Sequence, residues 1–214
     1  MTKDALDRGI TLEYAAAGAT AAGAIAALVA GGIAGSIALI AFGLDSVIAG
    51  VDAGMLTQRL RRRRAEPDAG TERIPPGKTR FIVGVSFFLL ALYLLNESTS
   101  RLFYGEKPEI SMAGIVIAAL SLIVMVMLTL MKLRLAATPG IRAFREYARE
   151  NAVRGFLSLV LLAGLGLHAV YGWWWADPAA VLLMMPVIVR EGWTAIEASK
   201  EAARAETSET RPPD

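Results

Sequence analysis

The sequence contains no cysteine and a single histidine, His168. The first absence excludes disulfides, thiolate metal sites and cysteine nucleophiles together, and the second removes any histidine-rich metal centre within one chain. An excess of one charge is also missing. Twenty-two Lys and Arg against 20 Asp and Glu leave a formal net charge of +2, so the balance makes no case for a nucleic-acid partner. Apolar residues are what the chain has in plenty. Of its 214 residues, 55% are hydrophobic, and the mean hydropathy of +0.48 is high for a soluble domain and ordinary for a polytopic membrane protein.

At roughly 20 residues per crossing, six helical spans use most of the length. The expected organisation is an all-α, six-helix membrane domain over residues 1–200 and a charged, disordered cytoplasmic tail over 201–214. The first span covers about 12–33; it is rich in Ala and Gly and lacks a clear cleavage site, so it reads as retained. A short glycine turn leads to the second, about 36–58, which carries the small-residue pair Gly50 and Gly54, either a dimer seam or a tight internal contact. Residues 59–80 combine a four-arginine run with Pro75 and Pro76 and read as a solvated loop, a topology signal or anionic-lipid contact and not a nucleic-acid site. The third span, about 81–104, ends with Glu97 and Arg101 one turn apart, the spacing of an ion pair. The fourth covers about 112–133. The fifth starts amphipathic near 141, turns apolar through Leu167, and ends at three consecutive tryptophans, Trp173 to Trp175, suited to a membrane interface. His168, beside them, reads as a wet interfacial histidine. The sixth, about 178–195, contains Pro186, where a kink is expected.

Lys and Arg concentrate in loop 59–80, in the loop between the fourth and fifth spans, and after the sixth. The other loops carry only Lys107. Both termini are therefore expected on the cytoplasmic side of the inner (plasma) membrane.

Within the spans, the second carries Asp45 near mid-run and Asp52 two turns on, sharing a helix face with Ala49. An ionisable group at that depth is costly and marks a functional site. The fifth contributes Glu146, Glu150 and Arg154 four apart, with Asn151 beside them and Ser158 one turn further. A zinc site of four side chains is hard to assemble from this inventory.

Several blocks resemble the cation diffusion facilitator superfamily of divalent-metal/proton antiporters, in its compact bacterial branch. They are Leu12-Glu13-Tyr14, GSIALIAFGLDS at 35–46, Glu97, S-x-x-G-I at 111–115, Ser121, Met125, GWWWADPAA at 172–180 and REGWTA at 190–195. The resemblance implies a six-helix bundle, zinc or another divalent cation as substrate, and a homodimer. It also implies ligand positions, and here the chain departs. Asp45 fits the first acidic position of the second helix, but its partner falls on Ala49. The fifth-helix positions fall near Asn151 and Gly155, and a first-helix position near Gly23.

Two readings follow. In the first, the protein is a divalent-cation/proton antiporter with Asp45 as its remaining metal ligand, helped by Glu150 or Asp52. In the second, the scaffold is repurposed, either as a non-transporting partner protein or as a membrane-embedded enzyme without a metal, acting on an apolar small molecule. Asp45 or Glu150 would then be the general acid/base and Arg154 the electrostatic stabiliser. Asp45, Asp52, Asn151, Arg154 and Ser158 would contact the substrate. Arg154 is expected to stand where a metal charge would be and to pair with Asp45.

Overall fold

The computed structural model describes residues 3–48, 50, 54, 77–136 and 143–209. The described residues form six helices: α1 (Lys3–Ala34), α2 (Ile37–Ile48), α3 (Gly77–Tyr104), α4 (Met112–Ala136), α5 (Ala143–Tyr171) and α6 (Ala176–Glu209). No strand occurs among the described residues. Five of the helices are long and apolar enough to cross a membrane; α2 is apolar but shorter over its described part. The expected all-α membrane bundle is the observed one.

The described part of α2 is the most enclosed element. Ile37, Ala38, Leu39 and Ala41 are fully buried, and they join Phe87 and Leu94 of α3, Leu161 and Leu165 of α5 and Val181 and Met184 of α6 in one core. Outward faces stay apolar, as lipid-facing surfaces must: Leu89 and Leu92 on α3 and Val116 and Leu120 on α4 are all exposed. Small residues set the helix approaches, because packing drives association in lipid. A Cβ added at Gly43 of α2 would lie 2.6 Å from Leu28 Cγ of α1, and one at Gly84 of α3 would lie 2.9 Å from the Gly192 carbonyl of α6. By contrast, a Cβ at Gly50 or Gly54 would meet nothing within 4 Å, so neither supplies a tight contact among the described residues.

The α1/α2 turn is built by a helix-ending motif followed directly by a helix-starting one. Gly35 adopts φ 64°, a conformation that glycine takes without steric cost, and the Ser36 N–H donates to the Gly31 carbonyl at 3.0 Å. Ser36 then caps α2, its Oγ accepting the Leu39 N–H at 3.2 Å. Ser111 does the same for α4, accepting the Gly114 N–H at 3.0 Å. That capping accounts for the serine of the S-x-x-G-I pattern, and close packing for its glycine, where an added Cβ would lie 2.5 Å from Leu39 Cδ1 of α2.

Two expectations change. The sixth helix continues to Glu209, beyond the position where a disordered tail was expected to begin, and Ser199 and Ala202 are buried along that extension. His168 is not a wet interfacial residue: it is buried, one turn inside the end of α5, where its carbonyl accepts the Gly172 N–H. Trp173 and Trp175 stack at 5.2 Å and are each nearly half exposed.

Candidate functional site

A cavity of about 300 Å³ opens among α1, α2, α4 and α5. Its room comes from α1, which presents Ala19, Ala22, Gly23 and Ala26 where larger side chains would fill the space. Across from them α4 contributes apolar walls, chiefly Ile117, Leu120 and Val124, and α2 adds Phe42. Hydroxyls from Thr20, Ser46, Ser121 and Ser158 are distributed around it. Two charged residues reach the lining, Asp45 from α2 and Arg154 from α5.

Asp45 is 4% exposed. It lies nine residues beyond the Ser36 cap, or about 14 Å along the helix, well inside the bundle. Arg154 and Glu191, the latter on α6, are near enough for their charges to act on it. No ion pair or hydrogen bond to its carboxylate occurs among the described residues. The direct Asp45–Arg154 pair expected from the sequence is thus replaced by a looser arrangement, with both charges facing one cavity. Arg154 also holds a further interaction. Ser158 lines the cavity while donating its hydroxyl to the Arg154 carbonyl at 3.1 Å, a bond within α5.

The other sequence-predicted positions divide. Gly23 lines the cavity, and a Cβ there would sit 3.5 Å from Ser121 Oγ. Gly155 is buried where α5 meets α4, with Met125 Cβ 3.7 Å from an added Cβ. Glu146, Glu150 and Asn151 belong to α5, but their side chains lie outside the described residues, as do Ala49 and Asp52 entirely. Among the described residues no group of three or more His, Cys, Asp or Glu is placed to hold a metal ion.

Sequence reasoning missed two acidic residues. Glu191 stands near the site because α6 brings REGWTA alongside it; a carboxylate following the apolar run 178–189 was the available signal. The other is Asp177, fully buried in the first turn of α6. Its carboxylate accepts the Ser36 hydroxyl at 2.5 Å and the N–H groups of Ile37 and Ala38 at 2.9 and 3.3 Å. Those amides are among the four that every helix start leaves without an internal partner. Arg101 completes this end of the bundle, donating to Glu97 at 2.9 Å and to the Gly35 carbonyl. The Glu109 N–H, donating to the Ala34 carbonyl at 2.8 Å, ties the α3/α4 loop to the same turn.

The cavity and the capped end therefore sit on one membrane-embedded scaffold, with a buried carboxylate in each. Residues 14–201 match the family of the cation efflux transmembrane domain. None of the curated proteins compared with the chain matches it. The match takes in every described helix and both carboxylates, and the chain belongs to the cation efflux transmembrane-domain family, a family of cation transporters.

Proposed function

We propose that the protein moves a cation across the inner membrane in exchange for protons, with Asp45 as the carboxylate that cation and proton meet in turn. The observation that carries this reading is the placement of Asp45. It is a deeply buried acid, facing a cavity, on the scaffold of a cation transporter family. A carboxylate held away from water is stable only with a counter-charge or a proton, and alternation between the two is the chemistry of proton-coupled transport. Arg154, Ser158, Asn151 and Asp52 are proposed to complete the substrate surroundings, and Glu150 to share the charge if the substrate is zinc or another dication. Both termini are placed in the cytoplasm, with the basic loop 59–80 on that side, and the protein is taken to work as a homodimer. Because the chain has no cysteine, single-cysteine labelling at 65 and at 107 tests that orientation directly.

The decisive experiment is proton movement in proteoliposomes under imposed cation gradients. Wild-type protein is expected to couple the two, and Asp45→Ala to abolish the coupling. A correctly folded protein that moves no protons under any cation gradient would sink the proposal. One observation favours a second reading: the cavity walls are largely apolar and hold an acid and a guanidinium together. That combination also suits a membrane-embedded enzyme using Asp45 for proton transfer on an apolar guest. A co-purifying guest that the protein converts chemically, and no transport, would establish the enzyme instead.

A further inference from the structure

The outward face of α3 differs from that of α4. Between Val116 and Met131 every exposed residue of α4 is apolar. On α3 the exposed Leu89 and Leu92 are followed by Asn96, Thr99 and Ser100, which border an open groove of about 400 Å³ formed by α3 alone. We infer that this face is the seam of the homodimer, with two Asn96 amides hydrogen-bonded to each other across a two-fold axis near the middle of the membrane. This deepens the homodimer reading above and rests on it.

Depth comes first. Arg101 of α3 and Asp177 of α6 both bond to the α1/α2 turn, so the C-terminal end of α3 lies beside the start of α6 and the two helices run antiparallel. Toward the other end, the 2.9 Å approach of an added Gly84 Cβ to the Gly192 carbonyl sets their relative height. Tryptophans suited to membrane interfaces bracket α6: Trp175 stands just before its start, and Trp193 is exposed, its indole N–H donating to Glu197 at 2.6 Å. Along the helix the two are about 27 Å apart, close to the roughly 30 Å of a hydrocarbon core. Midway between them, Met184 is level with Leu92 of α3, so Asn96 is about 6 Å from the middle of the membrane.

An amide exposed at that depth meets lipid instead of water, a costly state unless another group bonds to it. Hydroxyls elsewhere on these helices avoid the cost locally. Those of Ser86, Thr129, Ser158 and Thr194 each donate to the carbonyl four residues back. The Asn96 amide and the Thr99 and Ser100 hydroxyls have no hydrogen bond among the described residues.

Spacing identifies the occupant. Val85, Leu89, Leu92, Asn96, Thr99 and Phe103 follow one another at alternating intervals of four and three residues, and all are at least partly exposed. That is the a/d pattern of a helix seam, with Asn96 at an a position. In a parallel pair an a-position side chain faces its own copy. An amide both donates and accepts, so two Asn96 side chains satisfy each other, and one such polar position fixes register and oligomeric state. Two copies inserted with the same orientation present α3 in parallel about an axis normal to the membrane, as the pattern requires. Because lipid is as apolar as leucine, the attraction comes from this amide pair and from close packing. No residue lining the Asp45 cavity belongs to α3, so the seam leaves that cavity uncovered.

The test uses the full chain in proteoliposomes. Since the chain has no cysteine, single substitutions report the seam directly. Under mild oxidation, Leu89→Cys, Leu92→Cys and Thr99→Cys should each give a species of twice the chain mass. Ile123→Cys and Val126→Cys, at exposed positions of α4, should not. Energy transfer between labelled copies should show Asn96→Leu weakening dimerisation about tenfold with helical content unchanged, and Asn96→Gln, which keeps an amide, retaining most of the affinity. Cross-linking at the α4 positions and not on α3, with dimer affinity unchanged in Asn96→Leu, would overturn this inference and leave the homodimer reading standing. Oxidation in cell membranes that joins the three α3 cysteines to a different protein, and not to a second copy, would overturn it as well. Protein that stays monomeric at every lipid dilution would overturn both, without bearing on transport through Asp45.

Discussion

Asp45 and Asp177 are buried to almost the same degree, at 4% and 0% exposure, and the protein treats them in opposite ways. Asp177 is saturated. A hydroxyl and two helix-start amides converge on its two oxygens, and the Arg101 guanidinium acts on it from α3. Its negative charge also stands at the positive end of the α2 dipole. Asp45 faces an opening, with its nearest charges acting across space and no hydrogen bond among the described residues. Burial alone therefore does not identify a functional acid; what separates the two is whether the described residues supply hydrogen-bond partners to the carboxylate. A saturated carboxylate fixes structure, and an unsaturated one facing a cavity is left to interact with something that arrives.

The comparison is sharpened most strongly by removing the saturated member. Asp177→Ala strands the Ser36 hydroxyl and the Ile37 and Ala38 amides in a buried place. Each of the three stranded donors costs roughly 1–3 kcal/mol, so a loss of at least about 3 kcal/mol and a large drop in melting temperature are expected. Asp177→Asn, which keeps one acceptor oxygen, should recover part of that. A variant of Asp177 that kept full thermal stability would show that the link between α2 and α6 is dispensable and would remove the contrast with Asp45.

An intermediate effect is expected at the other end of the same link. Ser36→Ala removes a donor to Asp177 and the cap of α2 at once, but leaves both backbone amides on the carboxylate. Loss of such a cap costs about 1–2 kcal/mol. The two substitutions share a partner, so the double variant Ser36→Ala/Asp177→Ala should be less destabilised than the sum of the singles, as denaturation of the four proteins will show.

Local features of this molecule were legible in its sequence and distant ones were not. Apolar runs near membrane length placed the helices, and the Glu97–Arg101 ion pair follows from spacing within one helix. The serine of the S-x-x-G-I pattern is likewise a local cap, while its glycine answers to Leu39 of α2. The cavity was partly legible, since Asp45 stands out by its depth in an apolar run and Arg154 and Ser158 by their spacing along the fifth helix, and all three line one opening. Asp177 was invisible because its partners lie about 140 positions away, and in sequence it resembles any acidic residue at the start of a helix. Glu191 comes near Asp45 only through the packing of α6, and the burial of His168 likewise depends on tertiary neighbours. The length of α6 was underestimated because its charged end looks solvated by composition, although Ser199 and Ala202 are buried there.

The smallest stability change, and the one most informative about function, is expected at Asp45 itself. Asparagine has nearly the shape of aspartate and carries no charge, so Asp45→Asn removes an ion from a site where the described residues offer it no hydrogen bond. Burying an ion without such partners is unfavourable, and its neutral replacement relieves that cost. Against this stands the lost attraction of Arg154 across the cavity, although Arg154 keeps its further interaction. The two effects oppose, leaving a net change within about 1 kcal/mol, neutral or stabilising. Transport should nonetheless be abolished. That pairing of unchanged melting temperature with lost activity is what a site residue shows, because evolution tolerates a destabilising buried charge only where function requires it. If Asp45→Asn instead unfolds the protein as Asp177→Ala is expected to, the two carboxylates are both structural, and the cavity's acid is a second anchor with no substrate to meet.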